Sequence, residues 1–197
     1  MKGTRPRAVH DPSADHALAM ELRHSVKDRA ENVMIVDLMR NDLGRVCVLG
    51  SVRVPELFTI EQHATVHQMT STIEGELRAD VSSVEAIGAG FPPGSMTGAP
   101  KVEAMKLLQS LEIGERGWYS GVLGYVGWDG DVDLSVVIRT ALLTDQSVSW
   151  HVGGGVVADS TREGEWAEAL TKGPHGLGTV RLKQRSSLRQ KGDHQRG

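Results

Sequence analysis

Three consecutive segments with strand character constrain the fold of this chain more than any other feature. They occupy residues 119–128, 132–143 and 147–157. The gaps between them hold the turn-forming pairs Asp129-Gly130 and Asp145-Gln146. Links as short as these join antiparallel neighbours. Because helical patterns lie before and after this group, we expect an α+β fold with a largely antiparallel sheet.

The other elements follow from the spacing of apolar residues. A spacing of three or four positions, typical of helices, occurs in 14–43, 83–89, 102–111 and 160–172. Pro100 is expected in the first turn of the third of these segments, and Ser160 or Thr161 is expected to cap the last. Val, Thr and Ile are abundant in 52–77, which predicts a pair of strands.

Composition excludes several classes of protein. The chain has 22 Lys and Arg against 25 Asp and Glu, a net charge of −3, and no basic stripe that would bind nucleic acid. No apolar run approaches the roughly 20 residues of a membrane span, and none follows the cations near Met1, so neither membrane insertion nor export is expected. A single cysteine, Cys47, excludes an internal disulfide and favours a reducing compartment. We therefore expect a cytoplasmic protein.

The basic end of the chain is expected to differ from the rest. Residues 184–197 carry four cations, one carboxylate and one apolar side chain, Leu188. Such a segment cannot bury enough apolar surface to offset the entropy lost on ordering. The chain is therefore divided into a folded part, 1–183, and a disordered tail, 184–197.

Two glycine-containing segments are candidates for a binding site. In PPGSMTGAPK (92–101), the amides of Ser95–Ala99 precede a predicted helix, where they either bind an anion or only form a capped loop. The three glycines at 153–155 allow either close approach to a ligand or a sharp bulge.

Charged residues form a second set of candidates. Glu165 and Glu168 share one face of a predicted helix, and Glu31 lies on another helix. Carboxylates without His or Cys suit Mg²⁺ better than zinc, the alternative being ordinary surface charges. Arg139 interrupts the apolar string VVIRTALL, and a buried arginine there would need an anionic partner, in the protein or on a substrate.

Seven strings, in order, resemble motifs of the chorismate-utilising enzymes, a family that includes component I of anthranilate synthase and of aminodeoxychorismate synthase, isochorismate synthase and salicylate synthase. They are KGTRPR (2–7), KDRAENVMIVDLMRNDLGRV (27–46), PPGSMTGAPKVEAM (92–105), RGWYSGVLGYVGWDGDVD (116–133), IRTALL (138–143), GGGVVADS (153–160) and EGEWAEALTK (163–172). The resemblance extends from residue 2 to about 183. It implies a largely antiparallel β-sandwich flanked by helices, here without its N-terminal half, and chorismate as the substrate.

The resemblance also implies the site residues. Mg²⁺ would be held by Glu31 and Glu168, with Glu165 and Asp28 near its waters. The residues implied to bind the substrate are Ser95, Tyr119, Arg139, Gly153, Gly155 and Lys172. Together, a divalent metal, two cationic side chains and backbone amides would neutralise a substrate that carries two carboxylates.

Lys2 indicates the subfamily. Lys2-Gly3-Thr4 resembles the motif of most aminodeoxychorismate synthases, whereas anthranilate synthases carry alanine in place of the lysine. The resemblance implies that Lys2 attacks the chorismate ring, that the C4 hydroxyl leaves, and that ammonia from a glutaminase partner enters at C4 and expels the lysine. The product would be 4-amino-4-deoxychorismate, a precursor of 4-aminobenzoate and folate. An attacking lysine must be neutral, and Arg5, Arg7 and the metal are expected to favour that state.

Two departures from the family pattern keep alternatives open. Gln68 stands where a histidine facing the metal is expected, and its neighbour His67 should face the opposite side of the strand. The chain begins inside the Lys-Gly-Thr motif, so we expect a truncated or mis-started enzyme with apolar sheet surface left uncovered. The alternatives are an enzyme like anthranilate synthase component I and a non-catalytic chorismate-binding fragment.

Overall fold

Helices and antiparallel strands occur in separate groups along the chain, as the α+β expectation requires. The computed structural model describes residues 1–158 and 160–172. The strands are β1 (Thr4–Pro6), β2 (Arg53–Gln62), β3 (Val66–Glu74), β4 (Val122–Val126), β5 (Val132–Val136), β6 (Ala141–Leu143) and β7 (Val148–Trp150). The helices are α1 (Pro12–His24), α2 (Val26–Gly44), α3 (Ser83–Gly90), α4 (Gly94–Thr97), α5 (Lys101–Leu111) and α6 (Arg162–Lys172). The tail predicted at 184–197 lies outside the described residues.

Three antiparallel sheets contain these strands. The largest has the order β1-β3-β2, in which Thr4 of β1 lies opposite Gln68 of β3. The pair of strands predicted in 52–77 is therefore confirmed. The hairpins β4–β5 and β6–β7 form the other two sheets, and Gly130 adopts the left-handed φ of +93° that the first turn requires.

Helices α1 and α2 pack against the three-stranded sheet. The side chain of Asp11 caps α1 by accepting hydrogen bonds from the amides of Ser13 and Ala14, and Pro12 begins the helix. The Ser25 hydroxyl in turn accepts from the amide of Asp28 and begins α2. These caps separate the two helices and direct both toward the sheet.

The buried apolar residues form a small core. Leu22 of α1 and Met69 of β3 are fully buried. A second group of buried residues, Val46, Cys47 and Ala89, lies where α2, the segment after it and α3 meet. Cys47 is buried and free.

The predicted strand 132–143 is interrupted, which corrects the expectation for Arg139. Strand β5 ends at Val136 and β6 begins at Ala141. Between them Arg139 has a left-handed φ of +51° and is exposed. A residue in this conformation cannot continue a strand, so Arg139 is not buried and requires no anionic partner from the protein. The segment predicted at 147–157 is also shorter, because β7 ends at Trp150.

Several apolar side chains of strands and helices are exposed to solvent. Leu123 and Tyr125 of β4 are 62% and 61% exposed. Helix α5 is present where predicted, yet Val102 and Leu111 of its apolar stripe are 63% and 68% exposed. Within the described ranges, no helix is both long enough and apolar enough to cross a membrane.

Candidate active site

Lys2 lies at the edge of the three-stranded sheet, directly before β1. Its backbone amide donates to the carbonyl of Met69 at 3.0 Å, which fixes its position beside β3. Its ammonium lies 2.8 Å from a carboxylate oxygen of Glu31, whose side chain is 6% exposed. Lys27, one turn before Glu31 on α2, is 3.9 Å from the other oxygen of the same carboxylate. The sheet and α2 therefore bring Lys2 and Glu31 into contact.

Gly3 is required by its surroundings. It adopts φ of +97°, a conformation that glycine reaches without strain. A Cβ at this position would lie 3.0 Å from Leu22 Cδ1 and 3.1 Å from Asp28 Cβ. The first residues of the chain can approach α1 and α2 this closely only because position 3 has no side chain.

The three glycines at 153–155 pass directly over the candidate site residues. A Cβ on Gly155 would lie 2.9 Å from Lys2 Nζ, and one on Gly153 would lie 3.1 Å from the Tyr119 hydroxyl. A Cβ on Gly154 would lie 2.7 Å from a carboxylate oxygen of Glu165. The neighbours of this segment in the structure are protein side chains, and its close approach to a ligand stays a prediction.

Helix α6 supplies the remaining carboxylates. Thr161, one of the two predicted caps, accepts a hydrogen bond from the amide of Gly164. The hydroxyl of Ser160 donates to Glu165 Oε1 at 2.5 Å. Glu168 Oε1 lies 3.9 Å from the Cβ position of Gly154, so Glu165 and Glu168 face the same glycine, as their spacing predicts.

The second carboxylate oxygen of Glu165, Oε2, is a candidate ligand for a metal ion. Glu165 Oε2 is buried and has no hydrogen-bond partner in the part of the chain that the structure describes. Across residues 1–158 and 160–172, no three metal-ligating side chains come together. Mg²⁺ is commonly held by one or two carboxylates together with water and substrate oxygens. The buried oxygen of Glu165 without a partner is a donor of the kind that this ion takes.

A cavity of about 880 Å³ lies beside Glu165. It is lined by Val156, Ser160, Thr161, Arg162, Glu163, Glu165 and Trp166. This volume is within the range typical of sites for small molecules. The cavity therefore offers space for a ligand next to the carboxylate that lacks a partner.

Tyr119 borders the site on the side of Gly153. Its ring packs at 5.6 Å from the ring of His151, and burial raises the pKa of its hydroxyl, which keeps the hydroxyl protonated at neutral pH. Arg116 supports the same loop by donating to the Ser120 hydroxyl at 3.0 Å and to the Met96 carbonyl at 2.6 Å. The loop that carries Tyr119 is therefore tied to the glycine-proline segment at 92–101.

Two predicted substrate residues, Ser95 and Arg139, do not join this group within the described contacts. Ser95 is exposed on the short helix α4. The amides of Met96 and Gly98 donate to carbonyls within the same loop, so the predicted row of free amides at Ser95–Ala99 is only partly available. Arg139 is exposed between β5 and β6. Lys172 ends α6, and the position of its side chain lies outside the description.

Arg5 and Arg7 are paired with other residues, contrary to the expectation that they favour a neutral Lys2. Arg5 contacts Glu21 at 2.8 Å and Asp28 at 3.2 Å. Arg7 donates to both oxygens of Asp15, at 2.9 and 3.0 Å. Because each guanidinium is neutralised by carboxylates, neither supplies an uncompensated positive charge to Lys2.

Sequence reasoning missed the partner of His67. His67 is fully buried and its Nε2 lies 3.0 Å from Asp15 Oδ1. Gln68, the next residue, contacts β1 on the opposite side of the strand, which confirms that the two side chains diverge. The N-terminal position of Asp15 in α1 gave no sign of this contact, since Asp is common in the first turn of helices.

Comparison with known proteins identifies relatives that match most of the chain. A family model described as chorismate binding enzyme matches residues 1–175. The aminodeoxychorismate synthase of Streptomyces pristinaespiralis is 52% identical over 181 residues, which are 92% of this chain and 25% of that protein. Aminodeoxychorismate synthase component 1 of Salmonella typhimurium is 48% identical over 87% of this chain and 38% of its own length.

Other members of the family are also similar. Anthranilate synthase component 1 of Pseudomonas aeruginosa is 41% identical over 86% of this chain and 34% of its own length. These three relatives are therefore matched over about a quarter to two fifths of their length.

Solved structures show the same fold. Anthranilate synthase component I of Streptococcus pneumoniae superposes with a TM-score of 0.77 at 37% identity, over 83% of this chain and 38% of that one. The menaquinone-specific isochorismate synthase MenF of Escherichia coli shares the fold with a TM-score of 0.74. With the family model matched along residues 1–175, this chain belongs to the family of chorismate binding enzymes.

Proposed function

We propose that this chain carries the catalytic residues for the amination of chorismate to 4-amino-4-deoxychorismate, a step toward 4-aminobenzoate and folate. Relatives named aminodeoxychorismate synthase are 48% and 52% identical to the chain, against 41% for an anthranilate synthase component 1. The observation that carries the proposal is the position of Lys2, whose amine lies between Glu31 and the backbone of Gly155. A nucleophile at this point would meet a ligand bound beside the glycine segment.

In the proposed reaction, the Lys2 amine forms a bond to the chorismate ring and the C4 hydroxyl leaves. Ammonia then forms the new bond at C4, and the bond to Lys2 breaks, which regenerates the amine. The attacking lone pair is available only after the Lys2 ammonium loses a proton and its contact with Glu31. Lys2 displaces the hydroxyl, which leaves as water after taking up a proton, and ammonia then displaces Lys2. Neither step needs an oxidant or a reductant, and nitrogen replaces the hydroxyl at C4.

Substrate binding requires partners for the two carboxylates of chorismate. Tyr119, with its protonated hydroxyl beside Gly153, supplies a hydrogen-bond donor, and the amides of Gly153 and Gly155 supply others. Ser95, Arg139 and Lys172 remain proposed contacts.

Glu31, Glu165 and Glu168 are the residues that would hold Mg²⁺. The buried oxygen of Glu165 without a partner supports this assignment. When bound, the metal would neutralise a substrate carboxylate and so permit chorismate to lie among the glutamates.

Product analysis tests the proposal. The protein is incubated with chorismate, Mg²⁺ and ammonium, and the products are separated and identified by mass spectrometry. We expect 4-amino-4-deoxychorismate, and no product from Lys2→Ala. Fluorescent anthranilate would instead assign the chain to the anthranilate synthase reaction. Chorismate binding without any product would support the non-catalytic alternative.

We also propose that ammonia comes from a glutaminase partner. The name component 1 of the Salmonella typhimurium relative is consistent with a second component. The expected result is amination with ammonium alone, but amination with glutamine only after a glutaminase subunit is added. Equal rates with glutamine in the absence of any partner would contradict this proposal.

The proposed location is the cytoplasm. Cys47, the only cysteine, is buried and free, as is common for proteins of reducing compartments. Fractionation of the native cells, followed by detection of the protein, would test it.

A further inference from the structure

Gln68 is almost fully buried at the junction between β3 and the first residues of the chain. Its side chain is held at both ends, because Nε2 donates to the carbonyl of Gly3 at 2.7 Å and Oε1 accepts from the hydroxyl of Thr4 at 3.1 Å. The residue itself is 8% exposed. A carbonyl can only accept and an amide nitrogen can only donate, so the two contacts fix the orientation of the side-chain amide.

These contacts lie next to the amine proposed to react. Gly3 follows Lys2 directly, and its carbonyl also accepts from the amide of Met69 at 3.0 Å. Strand β1 contains only three residues, so few backbone hydrogen bonds hold it. The side chain of Gln68 adds two hydrogen bonds to the backbone bonds that Lys2 and Gly3 make with Met69.

The other side-chain anchors of this segment act further along the chain. Arg5 reaches Glu21 and Asp28, and Arg7 reaches Asp15. Among the described residues, Gln68 is the one whose side chain bonds to the backbone of Gly3, the residue adjacent to Lys2. Gly3 has a left-handed φ and close neighbours, and Lys2 lies 2.8 Å from Glu31, so the backbone next to the reacting amine is tightly packed.

We propose that Gln68 is a positioning residue for Lys2, an inference that rests on the proposed function. By fixing the carbonyl of Gly3, it sets the direction from which the Lys2 amine meets the substrate. Reacting groups must be held within about 0.5 Å of a productive arrangement, and misplacement by about 1 Å can reduce a rate 100-fold. A glutamine amide has no ionisable proton, so its role is positional and not acid–base.

The first test separates positioning from binding. Gln68→Met removes both hydrogen bonds while keeping side-chain length, and Thr4→Val removes only one. Thr72→Val is the matched control, since Thr72 lies on the same strand but is exposed and bonds to Glu56 of β2. For Gln68→Met we expect kcat to fall about 10- to 100-fold at unchanged KM for chorismate. Thr4→Val should show a smaller loss of the same kind, and Thr72→Val none.

Gln68→Glu refines the test. A carboxylate can still accept from Thr4 but cannot donate to the Gly3 carbonyl, so its kcat should fall by more than that of Thr4→Val. The shape of the pH–rate profile should not change in Gln68→Met. A raised KM at unchanged kcat, or the loss of one limb of the pH profile, would overturn the positioning role.

A measurement independent of activity distinguishes this inference from the proposed function. Hydrogen exchange at the Met69 amide, which bonds to Gly3, should be faster in Gln68→Met and in Thr4→Val than in Thr72→Val. If the unmodified protein makes no aminated product, the proposed function fails, whereas the exchange rates still test whether Gln68 holds the Gly3 carbonyl. Unchanged exchange in both Gln68→Met and Thr4→Val would overturn the inference.

Discussion

The ammonium of Lys2 lies 2.8 Å from the carboxylate of Glu31, which is 6% exposed. This contact joins the proposed nucleophile to a proposed metal ligand. The Glu31 carboxylate would serve both as the ion-pair partner of Lys2 and as a metal ligand. A metal ion bound at Glu31 should therefore compete with the Lys2 ammonium for this carboxylate. The amine would then be released toward the glycine segment, where the substrate is proposed to bind.

Mg²⁺ should therefore increase the chemical reactivity of Lys2. With an amine-selective reagent and peptide mass spectrometry, labelling of Lys2 is expected to accelerate as Mg²⁺ is added. Lys106, which pairs with the exposed Glu103 on α5, is the internal control and should not respond. In Glu31→Gln, Lys2 should label rapidly with or without the metal. Labelling of Lys2 that is slowed by Mg²⁺ would contradict the competition.

Glu168→Gln should weaken metal and substrate binding together. Loss of a charged oxygen ligand is expected to raise the Mg²⁺ concentration for half-maximal activity by about tenfold or more. At limiting Mg²⁺ the dissociation constant for chorismate should rise as well, because the metal neutralises a substrate carboxylate. Glu115→Gln, at an exposed position between α5 and β4, is the control and should leave both values unchanged. Equal effects of the two variants would argue against a metal role for Glu168.

Because of Asp15, the stability of the fold should decrease as the pH falls through the acidic range. The side-chain hydrogen bonds from Arg7 are the main cause of an Asp15 pKa far below its ordinary 3.8, followed by the Ala8 amide and His67. A lowered pKa stabilises the fold at pH values above that of the free group, and this contribution is lost as the pH falls below about 4. Asp15→Asn should flatten the decline of melting temperature between about pH 5 and pH 2. A decline as steep as that of the unmodified protein would contradict this assignment.

Removing one partner of the ion pair between Lys101 and Asp42 should destabilise the fold more than replacing both partners by apolar residues. The two side chains lie 2.6 Å apart and are 16% and 3% exposed, and they join α5 to α2. Asp42→Ala leaves a partly buried cation without a partner, and breaking a fully buried pair in this way costs about 3–5 kcal/mol, which is the upper limit expected here. The double variant Asp42→Leu/Lys101→Met should recover most of that loss in denaturant titrations. A double variant less stable than Asp42→Ala would contradict this expectation.

Local patterns in the sequence predicted most of the elements. Asp129-Gly130 and the cap at Thr161 act within a few residues, so their geometry depends little on the rest of the fold. The shared face of Glu165 and Glu168 follows from helical spacing alone.

Features that depend on distant contacts were not predicted from spacing. Arg139 lies in an apolar string that favours a strand, yet its left-handed backbone ends one. Strand β1 is too short to leave a periodic signal and exists because β3 lies beside it. The contacts of Lys2 with Glu31 and Gly155 join three distant parts of the chain, and only the resemblance to a family suggested them.

The role of Lys2 is the central claim, and mass spectrometry tests it most directly. The protein is mixed with chorismate and Mg²⁺ in the absence of ammonia, and the peptide containing Lys2 is examined for a covalent adduct. Lys2→Ala is compared with Lys27→Ala, which removes the other lysine near Glu31.

We expect an adduct on Lys2 in the unmodified protein and in Lys27→Ala. In Lys2→Ala the adduct should be absent and turnover should fall by orders of magnitude, with the chorismate dissociation constant unchanged. If Lys2→Ala instead binds chorismate more weakly and keeps its turnover, Lys2 is an electrostatic contact and the nucleophile role is wrong.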